Sequence, residues 1–251
     1  MKLSFAVLSL AVLLIVGPAS ATRRHRISNG HGRGRGMRPA DRFVPFPNCR
    51  GKATYALTFN NRLTARQFGS LIPTSGLTYS PPIAVSHSNR VSLMTVRGFA
   101  SPQVEAICKT GSNVPLARLS RKLRARGHVR TVATASGPTR PGRSTTLRVT
   151  VDCKRPFTSM IGMIAPSPDW IVQVTNRNMF DERRGRFVQR TSGDLIAYDC
   201  GVDSGREFTN PMDTSLDEPT RPPKNIAPLR EDETDRFEGR PVGSYVFRRI
   251  Y

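Results

Sequence analysis

The chain is 251 residues long and carries 39 Lys and Arg against 18 Asp and Glu, a formal charge of +21, with 37% hydrophobic residues. That length and apolar content support a substantial core and exclude both a wholly disordered chain and a miniprotein held up by disulfides alone. The charge excludes a self-solvating acidic chain and directs attention to anionic partners.

The chain opens with the pattern of a secretory signal. Lys2 gives a positive start, residues 3–16 are almost wholly apolar, and Ala19-Ser20-Ala21 is a small-x-small cleavage site. The apolar run is shorter than the ~20 residues a membrane helix needs. A removed signal over residues 1–21 would leave 230 residues and, with Lys2 gone, a charge of +20. In an exported protein such a charge favours sulfated glycosaminoglycans, anionic microbial surfaces or acidic matrix. Residues 22–48 follow as a leader rich in Arg, Gly, Pro and Asn without helical or strand periodicity, which predicts a disordered basic arm.

Beyond the leader the pattern turns to strands. Tyr55, Leu57 and Phe59 alternate with Thr54, Ala56 and Thr58, so one face of a first strand is buried. Residues 91–96 read as a strand or half-strand. Residues 102–110 read as a short helix opened by Pro102 and closed by Gly111. The densest basic stretch comes next, with Arg118, Arg121, Lys122, Arg124, Arg126 and then Arg130. Leu116, Leu119 and Leu123 recur through it at helical spacing, which allows a short amphipathic helix presenting guanidinium groups to sulfate, phosphate or carboxylate. The expected partner is an acidic glycosaminoglycan or another anionic extracellular polymer. Interleaved aromatics are absent, which argues against nucleic acid.

Residues 129–135 and 145–151 are β-branched alternations around Ser136-Gly137-Pro138 and Pro141-Gly142, a hairpin signal with a long turn. The segment 157–165 leads apolar residues into Pro166, residues 171–174 leave Trp170, and residues 195–198 run into Asp199. Residues 209–241, rich in Pro, Asp, Glu and Arg, read as a long surface excursion. Tyr245, Phe247 and Arg249 alternate with Val246, Arg248 and Ile250 as a last strand. The sum is one all-β domain over residues 49–251, an antiparallel sandwich with one short helix and long loops.

Cys49, Cys108, Cys153 and Cys200 are an even set in an exported chain and predict two disulfides, with three pairings open. No CxxC pair or His-rich set suggests zinc. An enzyme is not expected. His25 and His31 lie in the leader, His87 and His128 lack a nucleophile context, Gly-x-Ser-x-Gly is missing, and His87 reads as structural.

Two loops carry the chemistry. Pro166-Ser167-Pro168-Asp169-Trp170 and Tyr198-Asp199-Cys200-Gly201-Val202-Asp203-Ser204-Gly205 place Asp169, Asp199 and Asp203 at strand ends among turn formers. Three carboxylates on such loops suit a hard cation with oxygen ligands, above all Ca2+. Trp170 reads as a buried wall beside them.

These two motifs resemble the signature of the spondin N-terminal domain family. Supporting likeness comes from residues 53–59, from Tyr79-Ser80-Pro81-Pro82-Ile83 with His87-Ser88, from residues 98–111, from Phe208-Thr209 with Pro211, and from residues 244–250, so that it covers about residues 49–251. The resemblance implies a sandwich arranged like a C2 domain, calcium ligands at Asp169, Asp199 and Asp203, and a secreted adhesion or recognition module of the extracellular matrix, with a cell-surface receptor among its partners. A further acidic position of the family, near the metal and tied to integrin engagement, falls on Thr150 here, with Asp152 as the candidate substitute. For the disulfides the resemblance implies Cys49–Cys200 and Cys108–Cys153. The family's full-length members carry thrombospondin type 1 repeats, and nothing along this chain resembles one. A structural matrix, cuticle or mineral-associated basic protein is the alternative role.

Overall fold

The computed structural model describes Phe46 and residues 48–205, 207–208, 222–231 and 235–251. The expected signal and nearly all of the expected leader lie outside the described residues. The chain forms β1 (Lys52–Asn61), α1 (Ala65–Phe68), β2 (Thr78–Tyr79), β3 (Ile83–His87), α2 (Pro102–Thr110) and α3 (Val114–Ala125). It continues through β4 (Val129–Thr134), β5 (Ser144–Asp152), β6 (Phe157–Ala165), β7 (Trp170–Asn178), β8 (Phe180–Asp181) and β9 (Arg186–Phe187). The last strands are β10 (Arg190–Leu195), β11 (Ala197–Asp199), β12 (Ala227–Pro228) and β13 (Gly243–Arg249).

Two antiparallel sheets stack as a sandwich. One has four strands in the order β10-β13-β1-β5, and the other has the order β12-β11-β7-β6-β3-β4 with β2 added to β6. The alternation in β1 aims Tyr55, Leu57 and Phe59 inward, where they meet Leu147, Val149 and Val151 of β5, Phe247 of β13, and Met160, Ile164, Trp170 and Val172 of the facing sheet. Each such side chain contributes about 1.5–3 kcal/mol by leaving water. The hydroxyls of the two core tyrosines are satisfied: Tyr55 donates to the Val188 carbonyl at 2.7 Å and Tyr79 to that of Val242 at 2.7 Å.

Unlike a strand with one wet face, β6 is buried along almost its whole length, and so is β3. The reason is a third layer. α2 and α3 lie on the outer face of the larger sheet, where Val104, Ile107, Leu116 and Ala117 pack on Ile83, Val85, Ile161 and Met163. α2 has the caps its sequence signals. The Ser101 hydroxyl accepts from the Val104 N–H, Pro102 occupies the first turn, and Gly111 closes it at φ 67°, in the left-handed region that suits glycine.

Several expectations are corrected. Among the described residues there are three α-helices rather than one, because the leucine spacing at 116, 119 and 123 does form α3 and buries its apolar face. Residues 91–96 form no strand. β4 and β5 are not a hairpin: β4 pairs with β3 and β5 with β1, so the connection passes from one sheet to the other. Alternation reports that a strand has two faces and says nothing of its neighbour. The described part of residues 209–241 is not a surface excursion, since Ile226, Leu229 and Phe237 are fully buried. Phe46, placed in the leader by sequence, is buried against Phe180 with ring centroids 5.1 Å apart. All four cysteines are paired, as Cys49–Cys153 and Cys108–Cys200, which overturns the pairing that the resemblance implied. The sandwich fixes this choice: β1 and β5 are neighbours, so the residues flanking Lys52 and Asp152 meet, with Cα atoms of Cys49 and Cys153 5.5 Å apart.

Candidate functional site: a carboxylate pole and a cationic helix

The tight turn between β6 and β7 holds the first carboxylate. The Ser167 hydroxyl donates to the Ile164 carbonyl at 2.5 Å and accepts from the Trp170 N–H at 3.1 Å, which closes the turn around Asp169. Trp170 is fully buried with its ring edge-on to Phe208 at 5.5 Å and Phe237 at 5.6 Å. Asp169 is therefore the one charged group on the rigid floor of this turn, and it is fully buried.

The second loop arrives by strand pairing. β11 lies beside β7 with Asp199 directly opposite Trp170, one residue from Asp169. The loop then folds over, so that the N–H groups of Val202 and Asp203 donate to Asp169 Oδ2 at 2.8 and 3.0 Å. Asp199 Oδ1 accepts from the Gly201 N–H at 2.5 Å and Asp203 Oδ1 from the Gly205 N–H at 2.8 Å, which orients both carboxylates. Gly201 has φ 72°, and a Cβ there would sit 2.3 Å from the Lys224 carbonyl oxygen, so only glycine fits. The Cys108–Cys200 disulfide anchors the loop to α2.

The electrostatics of Asp169 register burial and both neighbouring carboxylates. Burial pushes its carboxyl up, the Asp199 charge adds to that, and Asp203 adds further, while the N–H bonds from Val202 and Asp203 oppose them; its pKa stands at about 7. Its Oδ1 is buried with no hydrogen-bond partner, the arrangement a cation would relieve. Among the described residues no group of three or more His, Cys, Asp or Glu side chains is arranged so that it could hold a metal ion as it stands. The fit to a divalent cation rests instead on this orphaned oxygen and on the all-oxygen donor set around it.

Thr150 and Asp152 do not join this trio. Both lie on β5, where the Ser86 hydroxyl donates to the Thr150 carbonyl at 2.7 Å, and Ser86 pairs with Thr158 near the start of β6. Asp169 follows the far end of that nine-residue strand, roughly 25 Å away at ~3.3 Å per residue. Asp152 is engaged otherwise: Arg155 holds it through Nη2 at 2.5 Å and Arg130 through Nη1 at 3.1 Å. Burial raises the Asp152 carboxyl, but the Arg155 hydrogen bonds and charge, the backbone N–H and Arg130 outweigh it and leave the group below the ordinary carboxylate value.

Of the basic residues singled out by sequence, Arg118, Arg121, Lys122 and Arg124 lie on α3 and Arg126 caps it, all five exposed. None of the five has an acidic partner among the described residues. Arg130 is diverted to Asp152 and is half-buried, so it does not share the exposed row. His87 is buried, with Nδ1 2.9 Å from the Ser88 carbonyl and Nε2 2.8 Å from the Ser159 hydroxyl, and burial holds its pKa below the ordinary value against the backbone contacts of Ser88 and Val91. It ties β3 to β6. Sequence reasoning named Ser167 only as a motif member and missed its turn-closing bonds, and it missed the strand β12, which brings Lys224 against Gly201; Ile226 and Leu229, isolated apolar residues in a polar run, were the available signal for the strand.

A three-layer antiparallel sandwich with a carboxylate pole tied down by a disulfide defines a β-sandwich domain with three aspartates on the strand-end loops at one end. The Spondin_N family model matches residues 53–238, and the chain belongs to that family. It is 30% identical over 186 residues to Spondin-1 of Rattus norvegicus, an alignment covering 71% of this chain and 22% of that protein. For Spondin-1 of Xenopus laevis the identity is 31% over 192 residues, covering 73% and 23%. For Spondin-2 of Homo sapiens it is 26% over 217 residues, covering 81% and 59%. The chain thus spans less than a quarter of the length of the Spondin-1 relatives. Among the described residues no helix is long and apolar enough to cross a membrane.

Proposed function

We propose that this chain is a secreted recognition module of the extracellular matrix. It holds one calcium ion among Asp169, Asp199 and Asp203 and engages anionic extracellular polymers, glycosaminoglycans foremost, through the exposed face of α3. The observation that carries the metal reading is Asp169 Oδ1, buried without a partner below two further carboxylates. Bound there, calcium supplies positive charge that removes the mutual repulsion and cross-ties the β6–β7 turn to the loop after β11. The role is structural and recognitive, with the ion keeping a partner-facing loop in one shape. Support for the polymer reading comes from five exposed cations on and beside one helix that have no acidic partner among the described residues, since guanidinium groups on a rigid element meet sulfate and carboxylate at little ordering cost.

The test is thermal unfolding of chelator-treated protein with and without millimolar calcium. Calcium raises the melting temperature because it binds the folded state, and Asp199→Ala abolishes the rise. An unchanged curve in the wild type refutes the metal reading.

A further inference from the structure

We infer that the anion-binding surface continues beyond α3, across the pole opposite the carboxylates, as one cationic track that takes in Arg50 and Lys52 and fits a long sulfated polysaccharide chain. This rests on the polymer reading above and extends it to residues outside the helix.

The path of α3 sets the direction. At its start the Asn113 side chain donates to the Pro81 carbonyl at 2.7 Å. Beyond its end, the Ser88 N–H donates to the His128 carbonyl at 2.9 Å. Pro81 and Ser88 flank the two ends of β3, so the twelve-residue helix runs the length of the sheet, about 18 Å at ~1.5 Å per residue. Its last cations, Arg124 and Arg126, arrive where β6 begins.

That end is contiguous with two other basic segments. Arg155 Nη1 donates to the Gly127 carbonyl at 3.0 Å, joining the turn after α3 to the β5–β6 turn. The β5–β6 turn is in turn joined to the N-terminal approach of β1 by the Cys49–Cys153 disulfide. Residues 48–52, 124–130 and 152–155 together hold Arg50, Lys52, Arg124, Arg126, Arg130, Lys154 and Arg155 against a lone acid, Asp152. Asp152 stands opposite Lys52 across the β1–β5 pair, yet it is already taken by Arg155 and Arg130. Its charge is therefore neutralised from inside, while Arg50 and Lys52 remain exposed.

A compact anion needs a pocket with converging donors. Here the cations instead follow one another along a helix and over a corner, an arrangement that matches repeated charges on an extended chain. The carboxylate trio lies at the other end of β6, so it opposes the approach of such a chain least.

Salt-gradient elution from heparin, and calorimetry with heparin fragments of increasing length, test this. R50Q/K52Q is expected to elute at lower salt than wild type, and its slope of log affinity against log salt falls by about 1.5, at roughly 0.7–0.9 per lost contact. The defect grows with fragment length, because short fragments occupy α3 alone. R50K/K52R keeps the wild-type slope, which separates charge from folding, and R118Q/R121Q/K122Q is weakened for fragments of every length. If R50Q/K52Q matches wild type while the α3 variant is weakened, the track ends at the helix: this inference falls and the polymer reading stands. If wild type is not retained at physiological salt, both fall.

Discussion

Asp169→Asn inverts the usual expectation for a buried polar residue. An ordinary aspartate ionises near 3.8, and in the folded chain Asp169 does so near 7. Between those values the folded state holds a proton that the unfolded state has lost, so this group makes stability fall as pH rises, with the loss complete above about 7. At ~1.4 kcal/mol per pH unit the span amounts to at most about 4 kcal/mol in metal-free protein. Asparagine cannot ionise. It keeps an acceptor for the N–H groups of Val202 and Asp203, and its amide nitrogen takes the place of the unpartnered Oδ1. In chelator at pH 8 the variant is therefore more stable than wild type, with a melting temperature higher by roughly 2–4 °C per kcal/mol for a chain of this size. At pH 4 the two coincide, because wild-type Asp169 is then protonated. Millimolar calcium at pH 8 reverses the order, since wild type gains a ligand that the variant lacks. Melting curves from pH 4 to 8, with and without calcium, read all three results. A variant less stable than wild type at pH 8 in chelator, or a wild-type difference flat between pH 4 and 7, refutes the reasoning.

Gly201→Ala forces a Cβ to within 2.3 Å of the Lys224 carbonyl at a left-handed φ; it lowers stability by more than about 1 kcal/mol and shrinks the calcium-induced melting shift. Cys108→Ser with Cys200→Ser opens a link spanning 92 residues, which costs about 4–5 kcal/mol by chain entropy, and it weakens calcium binding at the neighbouring Asp199, as a calcium titration of the folded fraction would reveal. Neutralising Arg121, Lys122, Arg124 and Arg126 together lowers the salt at which the protein leaves heparin while the calcium-induced melting shift stays as in wild type; equal elution refutes the assignment of the helix.

The strands with a wet face were legible in the sequence. β1 and β13 announced themselves by alternation, and α2 by Pro102 and Gly111, because these signals are local. What was not legible depended on distant partners. β6 reads as an apolar run from Met160 to Ala165, and only the helical layer on its outer face explains why both faces are dry. The disulfide pairing follows from β1 and β5 being neighbours, a fact of sheet order that cysteine spacing does not carry. The carboxylates were visible as turn residues beside Pro and Gly, yet the burial of Asp169 under the Val202–Asp203 backbone is tertiary. Arg130 looked like one more member of a basic run until Asp152, distant in sequence, claimed it.

The central claim is that Asp169, Asp199 and Asp203 together hold one calcium ion. Isothermal titration of chelator-stripped protein with calcium, beside the Asp199→Ala and Asp203→Ala variants, addresses it without relying on any partner. The account predicts a single site in the wild type and at least a tenfold loss of affinity in each variant, with the fold and both disulfides intact. Absence of binding in the wild type, or affinity unchanged in both variants, contradicts it.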